Sequence, residues 1–282
     1  MRFSVITPSF RNSDWLKLCI ASVADQQGVE HEHIVQDSCS DDGTQDWLPH
    51  DPRVKAFIEK DQGMYDAVNR GFRRATGDVL AYLNCDEQYL TGALAAVARF
   101  FEEHPEVDAC AADTVIVDPN ASYLCHRLAL TPGRLSTWVR FPVLTSAFFI
   151  RRHVVHEMGL YFDTKWRALG DVFYVMELLR RGVRFGVLPV FTSTFTDTGE
   201  NLGTKPVAVD ESARKLAMAP WWIRATWQLW LLHHRLRTWR RGAYSLKPFE
   251  YSIFTRENPN QRVTKHALKP TAWWPGRVVG SK

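Results

Sequence analysis

Cysteine is scarce and carries no pairing pattern: the 282 residues hold five, Cys19, Cys39, Cys85, Cys110 and Cys125, odd in number and without a C-x-x-C spacing. This excludes a disulfide scaffold and a structural zinc site, and fits a reducing compartment. No apolar run approaches the roughly 18 residues that a membrane-crossing helix needs. Internal repeats and low-complexity stretches are absent. Charged residues at 23% and aromatics at 12% exclude a disordered chain. Arg2-Phe3-Ser4-Val5-Ile6 already reads as a strand, so the expectation is a cytosolic globular protein with no leader before its fold. Acids are almost missing from one region. Residues 221–282 hold only Glu250 and Glu257 against 12 Lys+Arg, whereas residues 1–220 hold 29 Asp+Glu against 23 Lys+Arg. Seven of the 11 tryptophans lie in that same basic stretch. A mildly acidic domain over 1–210 and a basic, Trp-rich extension over 211–282 facing an anionic partner are expected.

The first hundred residues alternate strand and helix. Residues 3–7 form a short apolar strand stopped by Pro8. Ser13 caps a helix with Leu16, Cys19, Ile20 and Val23 at three- and four-residue spacing. Strands follow at 31–36, 54–58 and 79–83, with a helix at 65–75 between the last two. The pattern predicts an α/β fold, a mostly parallel sheet flanked by helices. Beyond residue 105 the pattern is mixed, with strands at 107–117 and 123–130 that read as antiparallel, further strands at 147–150 and 183–190, and a helix at 172–179. Residues 196–203 have the turn chemistry of a mobile loop. The domain thus divides into halves at about 1–105 and 106–210. Ligands of parallel sheets sit beyond the carboxyl ends of the strands. Thr7, Asp37, Asp61 and Asn84-Cys85-Asp86 all fall there, which defines a site at one sheet edge.

Three phrases stand out: Asp37-Ser38-Cys39-Ser40-Asp41-Asp42-Gly43-Thr44; Asp61 to Gly71 running into Ala75-Thr76-Gly77-Asp78; and Leu83-Asn84-Cys85-Asp86-Glu87. In this order, after the opening Val5-Ile6-Thr7-Pro8-Ser9-Phe10, they resemble the inverting family 2 glycosyltransferases of GT-A (Rossmann-like) fold over about residues 1–200. The resemblance implies a nucleotide-sugar donor, a UDP- or GDP-sugar, and a divalent cation, Mn²⁺ or Mg²⁺, at the "D-x-D" phrase. Such cations take one or two carboxylates plus phosphate oxygens, and Asp86 is the ligand candidate. Asn84 stands where the family often has an acid; as an amide it suits a ribose hydroxyl better than a metal, and Glu87 helps through water or is structural. The same resemblance has Thr7, Pro8 and Phe10 walling the base pocket, Asp37 accepting a hydrogen bond from the base, and Asp66 and Asn69 lying near the sugar or diphosphate. Competing readings make Asp41 and Asp42 turn formers, Asp61 a distant helix cap, and Asn69 and Arg70 solvated helix residues. An inverting transfer also needs a general base. The family's Asp at the start of a later helix corresponds to Asp171 in Leu169-Gly170-Asp171-Val172, and the competing reading is a helix N-cap. His153 and His156 read as surface residues of a short helix.

A helix over 220–241 is expected, with Pro220 in its first turn and Gly242 after its end. Trp222, Ala225, Leu229, Leu232, Leu236 and Trp239 share one face, while Arg224, Gln228, Arg235 and Thr238 lie opposite. This is the pattern of a membrane-surface helix; the competing reading packs those apolar residues on the domain. Nucleic acid is not an expected partner, since the first domain offers no fold for it. The processive members' Q-x-x-R-W phrase is missing, so addition of one sugar (a hexosyltransferase-type step) to a lipid-linked saccharide is expected. The setting would be the cytoplasmic face of the plasma membrane, in polysaccharide assembly. The alternatives are a nucleotidyltransferase, though Thr7 to Asn12 is no Gly-rich basic phosphate loop, and a degenerate nucleotide-sugar-binding module docked on a membrane.

Overall fold

The computed structural model describes residues 1–274; the last eight residues of the basic extension lie outside the described residues. The strands are β1 Arg2–Ser9, β2 Glu30–Asp37, β3 Lys55–Ile58, β4 Val79–Tyr82, β5 Glu87–Tyr89, β6 Ala109–Val117, β7 Tyr123–Arg127, β8 Phe148–Arg151, β9 Phe185–Thr196, β10 Phe249–Ile253 and β11 Val263–Ala267. The helices are α1 Ser13–Ala24, α2 Thr44–Trp47, α3 Met64–Arg74, α4 Ala93–Glu103, α5 Ser136–Val139, α6 Arg152–His156, α7 Gly170–Arg180, α8 Pro206–Met218, α9 Trp221–Ala225 and α10 Trp227–Arg240.

One nine-stranded sheet runs β3-β2-β1-β4-β8-β6-β9-β5, with β7 paired to β6. Its first half, β3-β2-β1-β4, is parallel throughout. The expectation of a mostly parallel sheet stops there. β8 runs antiparallel to β4 and β6, β7 to β6 and β5 to β9, leaving β6–β9 as the only parallel pair of the second half among the described residues. The architecture is a mixed α/β sheet covered by helices. Alternation along the strands decides which helices cover which face. Ile6, Leu80 and Tyr82 point to a cluster with Val68 and Phe72 of α3 and Tyr174, Val175 and Leu178 of α7. Their neighbours Phe3, Val5, Val79, Ala81 and Leu83 point to the opposite cluster, with Cys19 and Val23 of α1 and Leu94 and Val97 of α4.

β1 does not stop at Pro8. Ile6 O accepts from Leu83 N on the β4 side, and Pro8, two residues on, faces the same way beyond the last β1–β4 pair at Ile6 and Tyr82. The missing N–H therefore costs no ladder bond. Ser13 is not the cap of α1; it is the first helical residue, after Asn12. Its N–H is received by Asp42 Oδ2 at 3.0 Å, so a loop 29 residues away caps this helix.

The expected helix over 220–241 is two helices meeting at Thr226. They pack on α5 through Ile223, Trp227, Trp230 and Leu231, together with Trp138, Val139 and Ala219. The stripe read from sequence is the other face: Trp222, Leu229 (65% exposed), Leu232, Leu236 and Trp239 (64% exposed) look outward. The packed-stripe reading fails, because the helix carries two apolar stripes and the protein covers the second. The rest of the extension holds the β10–β11 hairpin. The extension is tied to the rest of the domain by Arg262 on Asp25 after α1, by Gln88 of β5 on Phe254, and by Arg241 on Asp113 of β6. Among the described residues no helix is long and apolar enough to cross a membrane.

Candidate active site

The carboxyl edge of the parallel half gathers the residues expected there. At the end of β2, Asp37 is fully buried and receives Ser40 N at 2.8 Å and Ser40 Oγ at 2.6 Å. Ser40 Oγ in turn receives Arg11 N at 2.8 Å. Asp37 thus clamps the β2 loop to the loop after β1, where Arg11 (φ 53°) and Cys39 (φ 58°) take the left-handed backbone that non-glycine residues seldom adopt. Phe10 projects from this edge, half exposed, with Arg11 and Lys60 within 5.0 and 5.2 Å of its ring centre. Asp41 pairs with Arg11, and Asp42 caps α1 and receives Thr44, both turn-shaping roles.

Other expected donor contacts have interior partners. The Thr7 hydroxyl is buried against His33 Nε2 at 2.8 Å and Cys19, so only its backbone faces the edge. Asn69 spends both ends of its amide on Phe162, donating to its carbonyl at 2.8 Å and accepting its N–H at 2.9 Å. Asp66 receives Gln62 N and pairs with Arg70 at 2.9 Å. Pro8 lies inside β1.

Beyond β4, Asn84 and Glu87 close a tight turn. Glu87 Oε2 receives Asn84 N at 2.8 Å, and Glu87 N donates to Asn84 O at 3.0 Å. Glu87 is 1% exposed and its Oε1 has no partner. Burial, reinforced by the charge of Asp86, pushes Glu87 well above the carboxylate range. Burial pushes Asp86 up as well. Asp86 has one long contact, from Asn201 Nδ2 at 3.5 Å, so most of its acceptor capacity is unspent. Asn201 belongs to the 196–203 loop, which the structure folds back onto Asp86; sequence reading gave that loop no such role. Two neighbouring carboxylates, one unspent and one with an orphaned oxygen, fit a divalent cation with oxygen preference. Among the described residues no cage of three His, Cys, Asp or Glu forms. Asp86 and its neighbour would therefore hold the ion together with ligand oxygens.

Asp171 is the third carboxylate. It lies in the first turn of α7, but the cap position belongs to Leu169 and no side chain caps the helix. Its Oδ1 receives Val172 N at 2.8 Å and approaches the Tyr65 hydroxyl at 3.4 Å, while Tyr65 Oη receives Asp171 N at 3.1 Å. Burial raises its carboxyl to about 6 against those hydrogen bonds, and its charge reaches Glu87. The support beneath it comes from far along the chain. Phe162, held by Asn69, stacks on Tyr65 at 5.0 Å. Gly170 leaves room for that ring, since a Cβ there would lie 2.4 Å from it. Glu211 of α8, 1% exposed, receives Arg167 N, Ala168 N and Leu169 N at 2.7, 2.9 and 2.8 Å, fixing the strand of backbone that enters α7. Tyr65, Asn201 and Glu211 carry no local signal in sequence. A carboxyl raised towards neutrality at the start of α7, and two neighbouring carboxyls with unspent oxygens beyond β4, are the groups this edge offers for proton transfer and cation binding.

The chain belongs to glycosyl transferase family 2, whose model matches residues 4–159. It is an enzyme of that family, which displaces the nucleotidyltransferase alternative. It is 35% identical over 179 residues to a PGL/p-HBAD biosynthesis glycosyltransferase of Mycobacterium tuberculosis, covering 60% of this chain and 66% of that one. It is 32% identical over 104 residues to a GalNAc(5)-diNAcBac-PP-undecaprenol beta-1,3-glucosyltransferase of Campylobacter jejuni, covering 35% of this chain and 34% of that one. The chain thus spans just under two thirds of the first relative's length and about a third of the second's. In fold it matches S. aureus TarS 1–349 in complex with UDP-GlcNAc, with TM-score 0.58, 19% identity and coverage of 76% and 69%. The mannosyltransferase PcManGT of Pyrobaculum calidifontis, in complex with GDP-Man and Mn²⁺, matches with TM-score 0.55, 17% identity and coverage of 83% and 75%.

Proposed function

We propose that this glycosyltransferase moves one sugar from a UDP- or GDP-sugar to a hydroxyl of a lipid-linked saccharide, with inversion and with the help of Mn²⁺ or Mg²⁺. What supports the reading is Asp171 in the first turn of α7 beside Tyr65, its carboxyl raised by burial to about 6 and its charge felt at Glu87. Asp171 takes the acceptor proton as the hydroxyl attacks the anomeric carbon from the side away from the nucleotide. Tyr65 and Glu211 hold it in place, and Phe10 and the Asp37 clamp shape the nucleotide end. Asp86 would hold the cation, which would supply charge neutralisation of the diphosphate leaving group. Turnover of a nucleotide-sugar panel with and without Mn²⁺ tests the reading; a chain that binds donors and never transfers is the degenerate module instead.

The outward stripe of α9 and α10 supports the proposed acceptor and location. Trp222, Leu229, Leu232, Leu236 and Trp239 are exposed beside Arg224, Arg235 and Arg240 on a segment rich in positive charge. Such a face supports docking on an anionic bilayer, the cytoplasmic leaflet of the plasma membrane, where a lipid-linked acceptor resides. Double replacement Leu232→Ser with Trp239→Ser is expected to weaken binding to phosphatidylglycerol vesicles by ~10-fold or more. It should leave the melting temperature near wild type, since neither side chain is buried. Vesicle co-sedimentation checks this: a wild-type protein that ignores anionic vesicles at low salt, or a double variant that binds unchanged, sinks the membrane reading.

A further inference from the structure

Between Asp171 and the outward stripe lies a group of cations that the transfer mechanism does not use. Packing of α5 on α10 through Val139, Trp230 and Leu231 sets Arg140, the residue after Val139, beside His234 and Arg235. From α8, Lys215 lies one turn beyond Glu211 and within the field of both Asp171 and Arg140. The other α10 arginines nearby are spent: Arg237 donates to Thr131 O, and Arg241 pairs with Asp113 at 2.8 Å. Among the described residues no carboxylate forms an ion pair with Arg140, Lys215 or Arg235, and the Arg140 guanidinium donates no hydrogen bond. Arg140 and Lys215 are partly buried, with Arg235 exposed beside them, and partly buried like charges without counter-charge are costly unless an anion joins them. Burial, followed by the charges of Arg140, Arg127, Arg237 and His233, pushes His234 down to about 4. Burial and Arg127 and Arg235 likewise pull Arg140 down.

We infer that Arg140, Lys215 and Arg235 form a second anion site, on the acceptor side, that takes the phosphate or diphosphate group of the acceptor and sets its sugar hydroxyl against Asp171. Planar guanidinium forks and a lysine ammonium suit phosphate oxygens. The position suits an amphiphile: His234 faces the protein while Leu229, Leu232, Leu236 and Trp239 on the far side of the same helix face outward. A ligand anchored in a bilayer under that stripe would meet the cations before it meets the base. The inference rests on the proposed acceptor and refines it, because it names the group by which that acceptor is gripped.

Calorimetric titration with inorganic pyrophosphate, in EDTA so that no metal-bridged binding at Asp86 contributes, tests it. Wild type is expected to bind saturably at low salt. Arg140→Gln and Lys215→Gln should each bind ~10-fold more weakly or worse, while Arg180→Gln, on an exposed residue paired with Glu177, binds like wild type. A second arm separates acceptor from bilayer headgroup: Arg140→Gln should keep its binding to phosphatidylglycerol vesicles while its KM for a lipid-diphosphate saccharide rises. Absence of pyrophosphate binding in wild type, or equal binding in all four proteins, overturns the site. Loss of vesicle binding in Arg140→Gln with unchanged KM overturns the acceptor assignment. Pyrophosphate binding that depends on Arg140, in a protein that transfers no sugar, would leave the site standing and remove the proposed function.

Discussion

Asp171→Asn should cut turnover by about 10³-fold while donor affinity stays near wild type. The amide keeps the shape and can still receive Val172 N, but it cannot take the acceptor's proton, and removal of a general base costs roughly 10²–10⁴-fold. The pH profile adds a second readout. With its carboxyl raised to about 6 by burial, the wild-type base is competent only above that value, so kcat should rise with pH through about 6, and the limb should vanish in the variant. Stability should move the other way. A carboxyl raised from 3.8 favours the fold when protonated, and that contribution is lost as pH rises from about 4 to about 6. At pH 7 the ionised form therefore costs up to about 3 kcal/mol, which Asn removes. Calorimetry at pH 5 and 7 should find the variant as stable as wild type or more so at pH 7. Transfer that persists within a few-fold would make Asp171 a helix-turn residue and place the base elsewhere.

Asp86→Ala should abolish Mn²⁺-dependent donor binding and with it nearly all transfer. The carboxylate is partly exposed and its one contact is the long approach of Asn201, so its removal takes little from the fold. It also relieves the charge that helps to raise Glu87. A ligand present at 100 times its dissociation constant stabilises a protein by about 2.7 kcal/mol. In wild type the matching nucleotide-sugar with Mn²⁺ should therefore raise the melting temperature by several degrees, and in Asp86→Ala by none. An Mn²⁺-dependent shift that survives the substitution would take Asp86 out of the metal site.

The parallel half was readable because its strands carry apolar residues and end in polar residues at their carboxyl ends. Thr7, Asp37, Asn84 and Asp86 come to one edge for that reason. In the second half the strands at 107–117 and 123–130 were read as antiparallel, as β6 and β7 are, but the directions of β8 and β5 are set by pairing partners far apart in sequence, which no local pattern reveals. β5, three residues long, hides two polar side chains, Glu87 and Gln88, in a buried strand, so alternation could not disclose it. The α10 segment misled in another way: two apolar stripes share one helix, and only the packing of Trp138 and Val139 decides that Trp230 and Leu231 go inward. Site residues that act by holding others were invisible from sequence. Asn69 was expected near the donor, yet its amide matches the backbone of Phe162, 93 residues away. Glu211 holds the entry to α7 from 42 to 44 residues further along the chain.

The most direct test of the central claim is the anomeric configuration of the product. Wild-type protein is incubated with UDP- and GDP-sugars, Mn²⁺ and a lipid-diphosphate saccharide, and the new linkage is read by proton NMR. The account predicts one added sugar, of anomeric configuration opposite to the donor's, formed only with Mn²⁺ or Mg²⁺ present and lost in Asp171→Asn. A product that retains the donor's configuration, or the same product formed in full by Asp171→Asn, would contradict it.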